Sequence, residues 1–455
     1  MSAVSGAEAH PKRSRGRPSA SPRARLARLA ATGLVGALLA GCGSTAHGDT
    51  GGGSNGGSPK GVLTIAMVAA FSGPDSIDGI AEAAGCYPAA RLINQAGGVM
   101  GHKIQCTAVD TRGDPADAIP AVEKLLATTP GLVAVIGPES GTANALIPIV
   151  TKAHIPLITN DGLANTDHST NPYYWRNYPA DDVGGVALAL WAHKMGLDNG
   201  ALFFDNSVNA QGSVPALLAT YQRLGGHVVA NLAVAPDGTS YGTEISKLLA
   251  AHPQVVFTET DPQTDATAFA NLMTLGKPVP IYGTNATVIP QWLKAVAKVL
   301  GPTNMATYYR GVEPYAPPDG ATRVFNKALL ASSSQVPQPS QWLGQEYATA
   351  PYDAAVIFSL AMDSAHSTSP SVLNSHILKV TAPGTGKTIV TTYAQGVAAL
   401  KAGKSIQYVG ADGPTVFNRW HNSTGEFEVV QYLPNGQLKI VGLISAAQLA
   451  HAQGG

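Results

Sequence analysis

The amino-acid sequence predicts an α/β protein with two lobes, each built on an open parallel sheet covered by helices. Short β-rich runs alternate with longer helical runs from residue 61 onward, which is typical of strand–helix–strand units with right-handed crossovers. Most of the strand runs are almost entirely apolar, as parallel strands buried on both faces require. These units are too many for one sheet, so the 455 residues are divided between two lobes.

The predicted elements follow one another in a regular order. The strand candidates are residues 62–68, 104–109, 132–136, 156–159, 201–204, 227–234, 254–258, 279–282 and 307–312. The helical runs between them are residues 79–96, 116–127, 143–152, 183–195, 213–224 and 264–275. Later helical runs and strand-like pieces are residues 321–331, 346–365, 371–380, 415–417, 426–432 and 438–441. Turns containing Asn and Gly separate the last pieces.

The first 41 residues are organised like a secretory signal peptide. Seven basic residues and one acidic residue precede Leu29, and an uncharged run of thirteen residues extends to Gly41. A helix needs about 20 apolar residues to cross a bilayer, so this run is too short to span one but fits a signal peptide. The exit Leu39-Ala-Gly-Cys42 resembles a bacterial lipobox, in which Cys42 becomes the lipidated first residue after cleavage. The alternative is an ordinary signal peptide in which Cys42 has no role.

Residues 42–60 are rich in glycine and serine and contain almost no apolar side chains. Such a segment cannot bury enough surface to offset the entropy of ordering, so it is predicted to be a flexible linker behind the lipid anchor. From Leu29 onward the chain carries 22 basic and 28 acidic residues. A mildly acidic body lacks the clustered Lys and Arg that phosphate contacts require, which excludes nucleic acid as a partner.

Cys86 and Cys106 are the other two cysteines of the chain. The first lies in a predicted helix and the second in the next predicted strand, and these elements are neighbours in a strand–helix–strand unit. Because export places the pair in an oxidising compartment, we expect a Cys86–Cys106 disulfide, with two buried free thiols as the alternative. Two cysteines without nearby histidines are a poor zinc site, and the twelve histidines are scattered. No metal and no cofactor are therefore expected.

A series of short motifs lies between residues 61 and 445. Phe71-Ser72-Gly73-Pro74 follows the first strand, and a helix containing residues 85–94 leads into Gln95-Ala-Gly-Gly-Val-Met-Gly101. The later motifs are residues 110–115, 135–138, 155–158, 174–176 with Asp181, 352–354 and 413–425. In this order and at these intervals they resemble the type I periplasmic binding proteins of the branched-chain amino acid (Leu/Ile/Val-binding) family.

The resemblance implies two Rossmann-like lobes joined by three crossover hinge strands, with a ligand cleft between them. The crossovers are expected near residues 177–180, 311–315 and 407–411. Lobe 1 is expected to comprise residues 61–178 and 313–408, and lobe 2 residues 179–312 and 409–447. The resemblance also implies a monomeric lipoprotein on the extracytoplasmic face of the membrane, which passes a small ligand to the permease subunits of an ABC importer.

The loop Gly137-Pro-Glu-Ser140-Gly141-Thr142 leads from a buried strand into a helix, the place where ligands bind in open α/β sheets. Free N–H groups and the positive helix end suit an anionic group, and a hydroxyl of Ser140 or Thr142 adds a hydrogen bond. From local sequence alone, both residues are more simply helix caps. The family resemblance favours binding, because this turn carries the carboxylate-binding serine there. Which of the two hydroxyls acts stays open.

Further predicted cleft residues lie at family ligand positions or, like Asp161, beside one. They are Ser72, Asp78, Asp161, Gly162, Asn209, Asp261 and Asn285. By the resemblance, Asn209 replaces a tyrosine, and Asn285 replaces the glutamate that pairs with an amino group. Each acid alone is more simply a solvated loop residue, but together they predict a cleft that is more polar and less aromatic than that of a leucine binder. Because buried carboxylates need partners, we expect a small polar ligand, cationic or zwitterionic.

Catalysis is not expected. The segment Gly384-Thr-Gly-Lys-Thr388 resembles a phosphate-binding loop, but Thr381 stands where that loop needs glycine, and the segment follows a helical run. The residues around Ser140 do not form a nucleophile elbow either. A binding subunit whose lobes close over the ligand is therefore favoured, with a ligand-sensing receptor component or a secreted enzyme on the same fold as the alternative.

Overall fold

The structure is a computed structural model that describes residues 60–453, except residues 74, 160, 277, 316–319 and 424. The signal segment, Cys42 and the linker up to residue 59 lie outside the described residues, so the signal peptide, the lipidation of Cys42 and the flexible linker stay predictions. The described chain contains two large sheets and one two-stranded sheet. We call the part built on the first large sheet lobe 1 and the part built on the second lobe 2.

The first sheet consists of β1 (Lys60–Ala69), β2 (His102–Asp110), β3 (Leu132–Ile136), β4 (Leu157–Thr159) and β5 (Tyr174–Arg176), connected by α1 (Ser76–Gln95), α2 (Pro115–Thr128) and α3 (Ser140–Lys152). The strands are parallel, in the order β2-β1-β3-β4-β5. Alternate residues of β1 enter opposite cores: Ile65 and Met67 pack with α1, and Ala66 and Val68 pack with α2 and α3. Both faces are buried, which explains the continuously apolar strand runs.

The second sheet begins with β6 (Asn199–Asp205), β7 (His227–Val234), β8 (Val255–Glu259), β9 (Ile281–Gly283) and β10 (Tyr309–Pro314). The helices around them are α4 (Asp181–Lys194), α5 (Val208–Gly212), α6 (Val214–Arg223), α7 (Gly242–Ala250), α8 (Pro262–Leu275), α9 (Pro290–Leu300) and α10 (Pro302–Tyr308). These five strands are parallel, in the order β10-β9-β8-β6-β7. As in lobe 1, consecutive residues Phe203 and Phe204 of β6 enter cores on opposite faces.

The chain then returns to lobe 1 and forms α11 (Gly320–Leu330), α12 (Glu346–Ala365), α13 (Pro370–Asn374), α14 (Ile377–Thr381), β11 (Thr388–Val390), α15 (Tyr393–Lys401) and β12 (Ile406–Tyr408). Helix α12 is buried along most of its length and packs on α1. Gly85 permits this contact, because a Cβ there would lie 2.6 Å from the carbonyl oxygen of Ala348 and 2.6 Å from Cβ of Pro351. The neighbouring Cys86 is disulfide-bonded to Cys106 of β2, with an S–S distance of 1.96 Å.

The final elements are β13 (Phe427–Tyr432), β14 (Leu438–Ile444) and α16 (Ala446–Gln453). Strand β13 pairs antiparallel with β10, and β14 pairs antiparallel with β13. They extend the second sheet to the order β14-β13-β10-β9-β8-β6-β7. The second sheet is therefore parallel at its centre and antiparallel at the edge that the chain adds last.

The chain passes between the two lobes three times: after β5, after β10, and in the segment between β12 and β13. The three connections lie side by side. The N–H of Arg176 donates to the carbonyl oxygen of His421 (2.9 Å), and the N–H of Ser423 donates to the carbonyl oxygen of Arg176 (2.7 Å). The N–H of Tyr315 donates to the carbonyl oxygen of Glu426 (2.8 Å).

The third connection differs from the expectation in two respects. The N–H of Ala411 still donates to Asp353 of α12, and Ser423 still pairs with β5, so the chain reaches lobe 2 later than the expected 407–411. Residues 415–417 do not form a strand, because turns dominate this segment and only isolated bridges such as Phe417–Ser423 occur. The proposed lobe boundary therefore moves from residue 408 to beyond Ser423.

Candidate functional site

A cavity of about 230 Å³ is lined by residues from both lobes. Its walls are the carboxyl ends of strands and the first turns of helices, where open α/β sheets bind ligands. The lining residues are Asp75, Ile77, Asp78, Ala81, Glu139, Ser140, Gly162, Tyr178, Asp181, Asp205, Ser207, Asn209, Ala210, Glu259, Thr260, Asp261, Pro262, Asn285, Ala286, Ile289, Trp342 and Tyr347. The cavity is smaller than the pockets of roughly 300–1,000 Å³ that hold drug-sized ligands.

The charge of this lining is strongly one-sided. Seven of the lining side chains are carboxylates, and Lys, Arg and His are absent from the lining that the structure describes. We call Asp75, Asp78 and Glu139, which belong to lobe 1, the first wall. We call Asp181, Asp205, Glu259 and Asp261, which begin α4 or follow strands of lobe 2, the second wall. A cation entering the cavity therefore meets carboxylates on both sides.

In the first wall, Glu139 is held in place at the start of α3. Its Oε1 accepts hydrogen bonds from the hydroxyls of Thr111 (2.7 Å) and Thr142 (2.9 Å). Its Oε2 is buried and has no hydrogen-bond partner among the described residues. Burial raises the pKa of Glu139, although the two threonine hydroxyls oppose the shift. Burial, Glu139 and Asp75 together raise the pKa of Asp78 to about 8.

Glu82 lies behind the first wall and was not singled out from the sequence. It is 1% exposed, and neither of its carboxylate oxygens has a hydrogen-bond partner in the described part of the chain. Burial raises the pKa of Glu82 well above its ordinary value, and repulsion from Glu139 and Asp78 adds to the shift. A carboxyl group in this environment is kept neutral, because an isolated buried charge is far more costly than a protonated acid.

In the second wall, Asp181 and Glu259 repel each other. Burial and the charge of Glu259 raise the pKa of Asp181 well above its ordinary value. Burial is also the main reason that the pKa of Glu259 is raised to about 7, with Asp205 adding to the shift. Asp261 caps α8, where its Oδ1 accepts from the N–H groups of the next turn and its Oδ2 finds no partner within the described structure.

The two lobes also meet through polar contacts at the base of the cavity. The side-chain amide of Asn285 from lobe 2 donates to the hydroxyl oxygen of Tyr178, in the first connection, and to that of Tyr347, at the start of α12 (3.0 Å for Tyr347). The two tyrosine rings lie 5.6 Å apart, centre to centre. These contacts link the opposite sides of the cavity across the hinge.

Six of the ten predicted ligand positions line the cavity. They are Asp78, Ser140, Gly162, Asn209, Asp261 and Asn285. The Oγ atom of Ser140 accepts a hydrogen bond from the N–H of Gly162 (3.0 Å), so the two predicted loops of lobe 1 are bonded to each other.

The other four predicted positions lie away from the cavity lining. Ser72 is exposed, and its hydroxyl donates to Asp110 (2.6 Å). Gly141 is exposed on α3, whereas Thr142 is fully buried and donates to Glu139. Asp161 is also fully buried, and its Oδ1 accepts from the N–H of Leu163 (3.0 Å). Thr142 and Asp161 thus shape the loops behind the site.

Several lining residues were not among the predicted ligand positions. Asp205 and Glu259 are the last residues of the apolar strands β6 and β8, a position at which parallel strands present side chains to a site, and this was the available signal. Trp342 and Tyr347 enter from the segment that returns to lobe 1. No local pattern marks them, because their role depends on a contact with loops that are distant in sequence.

Three further findings concern metal binding, phosphate binding and membrane-spanning helices. Across residues 60–453, apart from the undescribed positions, no group of three or more His, Cys, Asp or Glu side chains converges as metal ligands. Lys387, in the segment that resembles a phosphate-binding loop, donates to the carbonyl oxygens of Lys379 (2.8 Å) and Ala382 (2.7 Å) and thereby closes its own loop. Within the described residues, every helix is too short or too polar to cross a bilayer.

Comparisons with known proteins agree with this architecture. The family model described as "Periplasmic binding protein" matches residues 62–437. A Leu/Ile/Val-binding protein from Rhizobium johnstonii is 25% identical over 206 residues, which is 43% of this chain and 53% of that protein. The matched segment thus spans about half the length of this relative.

Solved structures show the same fold. A leucine-binding protein from Thermotoga maritima has a TM-score of 0.68 at 16% identity, covering 84% of this chain and 99% of that chain. A solute-binding protein from R. palustris in complex with benzoate has a TM-score of 0.66 at 17% identity, covering 84% of this chain and 96% of that chain. With two sheet-based lobes, three adjacent connections and a family match over most of its length, the chain belongs to the type I periplasmic binding proteins, in the branched-chain amino acid family.

Proposed function

We propose that this chain is the extracytoplasmic, lipid-anchored binding subunit of an ABC importer and that it captures a small polar solute carrying an amino group. The observation that carries the ligand assignment is the cavity lining, with seven carboxylates and no described basic side chain. Buried carboxylates need cations or hydrogen-bond donors as partners, and an ammonium group supplies both. The family places its members outside the cytoplasm, and the predicted lipidation of Cys42 would hold this one at the membrane.

Closure of the lobes explains how such a protein retains its solute. The first wall and the second wall belong to different lobes, so a solute contacts both only when the cavity is shut. A ligand shifts the equilibrium toward the closed form only by as much as it binds that form more tightly. The contacts of Asn285 with Tyr178 and Tyr347 lie at the hinge and are suited to stabilising the closed form.

The ligand class differs from those of the structural relatives. Leucine and benzoate, named for two of them, each carry a carboxylate. The cavity of this chain offers a carboxylate no basic partner among its described residues, and whichever of its acidic side chains are ionised would repel it. A solute with a positive group is the better electrostatic match.

A thermal-shift screen followed by calorimetry tests this proposal. The mature chain with Cys42→Ser is screened against amino acids, amides, amines and sugars, and each hit is checked for one-to-one binding and for chemical turnover. We expect an amine-containing solute to raise the melting temperature and to be recovered unchanged. The proposal fails if leucine, isoleucine or valine binds most tightly, or if the bound compound is converted, which would favour an enzyme.

A further inference from the structure

Taking this function as its basis, we propose that the solute is a diamine or a longer polyamine that lacks a carboxylate. Such a solute carries at least two ammonium groups on a methylene chain. One ammonium group lies against the first wall and another against the second wall. The inference fixes the number and sign of the charges and excludes amino acids, whose charges cancel at the α-carbon.

The acidic side chains form two centres, one on each wall, and the walls lie close enough to interact: burial and then the charges of Asp205 and Asp261 in the second wall raise the pKa of Asp75 in the first wall. Asp78 and Glu139 repel each other in the first wall, and Asp181 and Glu259 repel each other in the second wall. These two pairs belong to different lobes. A single ammonium group neutralises one pair and leaves the other unpaired, whereas two linked ammonium groups neutralise both.

Unpartnered oxygens mark the position of each centre. Glu139 is 5% exposed, lines the cavity, and has an Oε2 without a hydrogen-bond partner among the described residues. On the opposite wall, Oδ2 of Asp181 is buried and likewise lacks a partner in the described chain. Buried polar atoms are rarely left without a partner, so each of these oxygens is open to a donor from a ligand, and a cation bound beside them would favour the ionised form of both carboxyl groups. An ammonium group brings three N–H donors and a positive charge.

The place where an amino acid would lodge its carboxylate is already negative. The first turn of α3 would suit an anion by its free N–H groups, but Glu139 directly precedes it, lines the cavity and has an Oε2 without a partner among the described residues. The hydroxyl of Thr142 donates to Glu139 and is not free for a ligand. An ionised Glu139 would oppose a ligand carboxylate here, without a basic lining residue to offset the repulsion.

The rest of the lining favours an organic cation over a metal ion. The carboxylates are dispersed, and no three of the described acidic, His or Cys side chains converge on one point. Apolar and aromatic groups line the same cavity, including Ile77, Ile289 and Trp342. A methylene chain packs against such groups, whereas a hydrated metal ion does not.

Isothermal titration calorimetry at pH 8 with four matched compounds tests the inference. 1,4-Diaminobutane has two ammonium groups, butylamine lacks one of them, and ornithine adds a carboxylate to the diamine; spermidine adds a third amine. We expect the diamine or spermidine to bind at least ~100-fold more tightly than butylamine and ornithine, a difference of two decades in Kd. Calcium chloride is titrated as the metal probe and is expected to give no binding.

The outcomes separate this inference from the proposed function. If ornithine or butylamine matches the diamine, the polyamine inference is overturned while capture of an amine-containing solute stands. Tighter binding of calcium than of any amine also overturns it. If no amine binds and a neutral or anionic solute does, the proposed function falls together with the inference.

Variants of the two centres provide a second test. Glu139→Gln and Asp181→Asn lie on opposite walls, and each is expected to weaken diamine binding at least ~30-fold, because each leaves one ammonium group without its carboxylate. The matched control is Glu123→Gln on the exposed face of α2, which should leave the affinity unchanged. Melting curves establish that each variant is folded. Unchanged diamine affinity in both folded variants contradicts the inference.

Discussion

The substitution Asp78→Asn is expected to stabilise the ligand-free protein at pH 8 and to stabilise it much less at pH 5. Asp78 lies in the first turn of α1 and lines the cavity beside Glu139. Its ionised form is disfavoured in the fold by burial and by the nearby carboxylates, and asparagine has the same shape without the charge. The variant thus removes repulsion that the ligand-free fold has to tolerate.

The size of the effect follows from the pKa of Asp78, which is about 8 in the fold against an ordinary 3.8. Because the folded state holds this proton more tightly than the unfolded state, the stability of the wild-type protein falls as the pH rises from about 4 to about 8. One pKa unit corresponds to about 1.4 kcal/mol, so Asp78 alone lowers the free energy of unfolding by up to about 3 kcal/mol between pH 5 and pH 8. Asp78→Asn should abolish this contribution.

Urea unfolding at pH 5 and pH 8, followed by circular dichroism, measures the effect. The stability gained from Asp78→Asn should be larger at pH 8 than at pH 5 by up to about 3 kcal/mol. Glu123→Gln, on the exposed face of α2, should give the same small effect at both pH values. The reasoning is refuted if Asp78→Asn destabilises the protein equally at both pH values. The same variant should bind the solute more weakly, since stability and function conflict at this position.

Four further predictions concern the frame of the site and its ligand. Replacing Cys86 and Cys106 by alanine opens a cross-link between residues 20 apart and should cost about 3 kcal/mol in urea unfolding; a variant as stable as the oxidised wild type would contradict this. Gly85→Ala should lower stability by about 2 kcal/mol or more, because the added Cβ would meet the backbone of α12, whereas Gly141→Ala, with its nearest neighbour 3.6 Å away, should be neutral. Thr142→Ala removes a buried hydrogen bond to the carboxyl group at the start of α3 and should weaken solute binding by about tenfold while lowering the free energy of unfolding by about 1–3 kcal/mol. Lowering the pH from 8 to 5.5 should weaken diamine binding at least ~30-fold, because carboxyl groups with raised pKa values take up protons in the ligand-free protein. A diamine affinity that does not change with pH would exclude the cavity carboxylates as partners.

Much of the fold could be predicted because its strands are buried on both faces. The predicted run 132–136 coincides with β3, whose residues are all buried. The run 227–234 coincides with β7, a largely half-buried edge strand, because Gly225-Gly226 and Pro236-Asp-Gly238 mark its two ends. Amphipathic surface helices were harder to recognise in the sequence, and α7 and α9 were not predicted. The short strand β5 was seen only as a motif, because three residues carry no period.

The candidate site could be predicted only in part. Loops that follow strands are visible in a sequence, and Asp78, Ser140 and Asp261, predicted from such loops, line the cavity. Burial is not visible in a sequence. Thr142 was predicted to be a ligand-binding hydroxyl, but it is fully buried and donates its hydrogen bond to Glu139. The direction in which a loop side chain points depends on the contacts around it, and these come from distant parts of the chain.

The sequence by itself determined the two-lobed α/β architecture and the polar, acid-rich character of the ligand loops. These properties depend on local periodicity and on residue type, which a linear pattern records. Only the tertiary structure decided that carboxylates from seven separate positions line one cavity without a basic partner among the described residues. The physical reason is that charge acts through space, so its effect on a site depends on distance and burial and not on order along the chain.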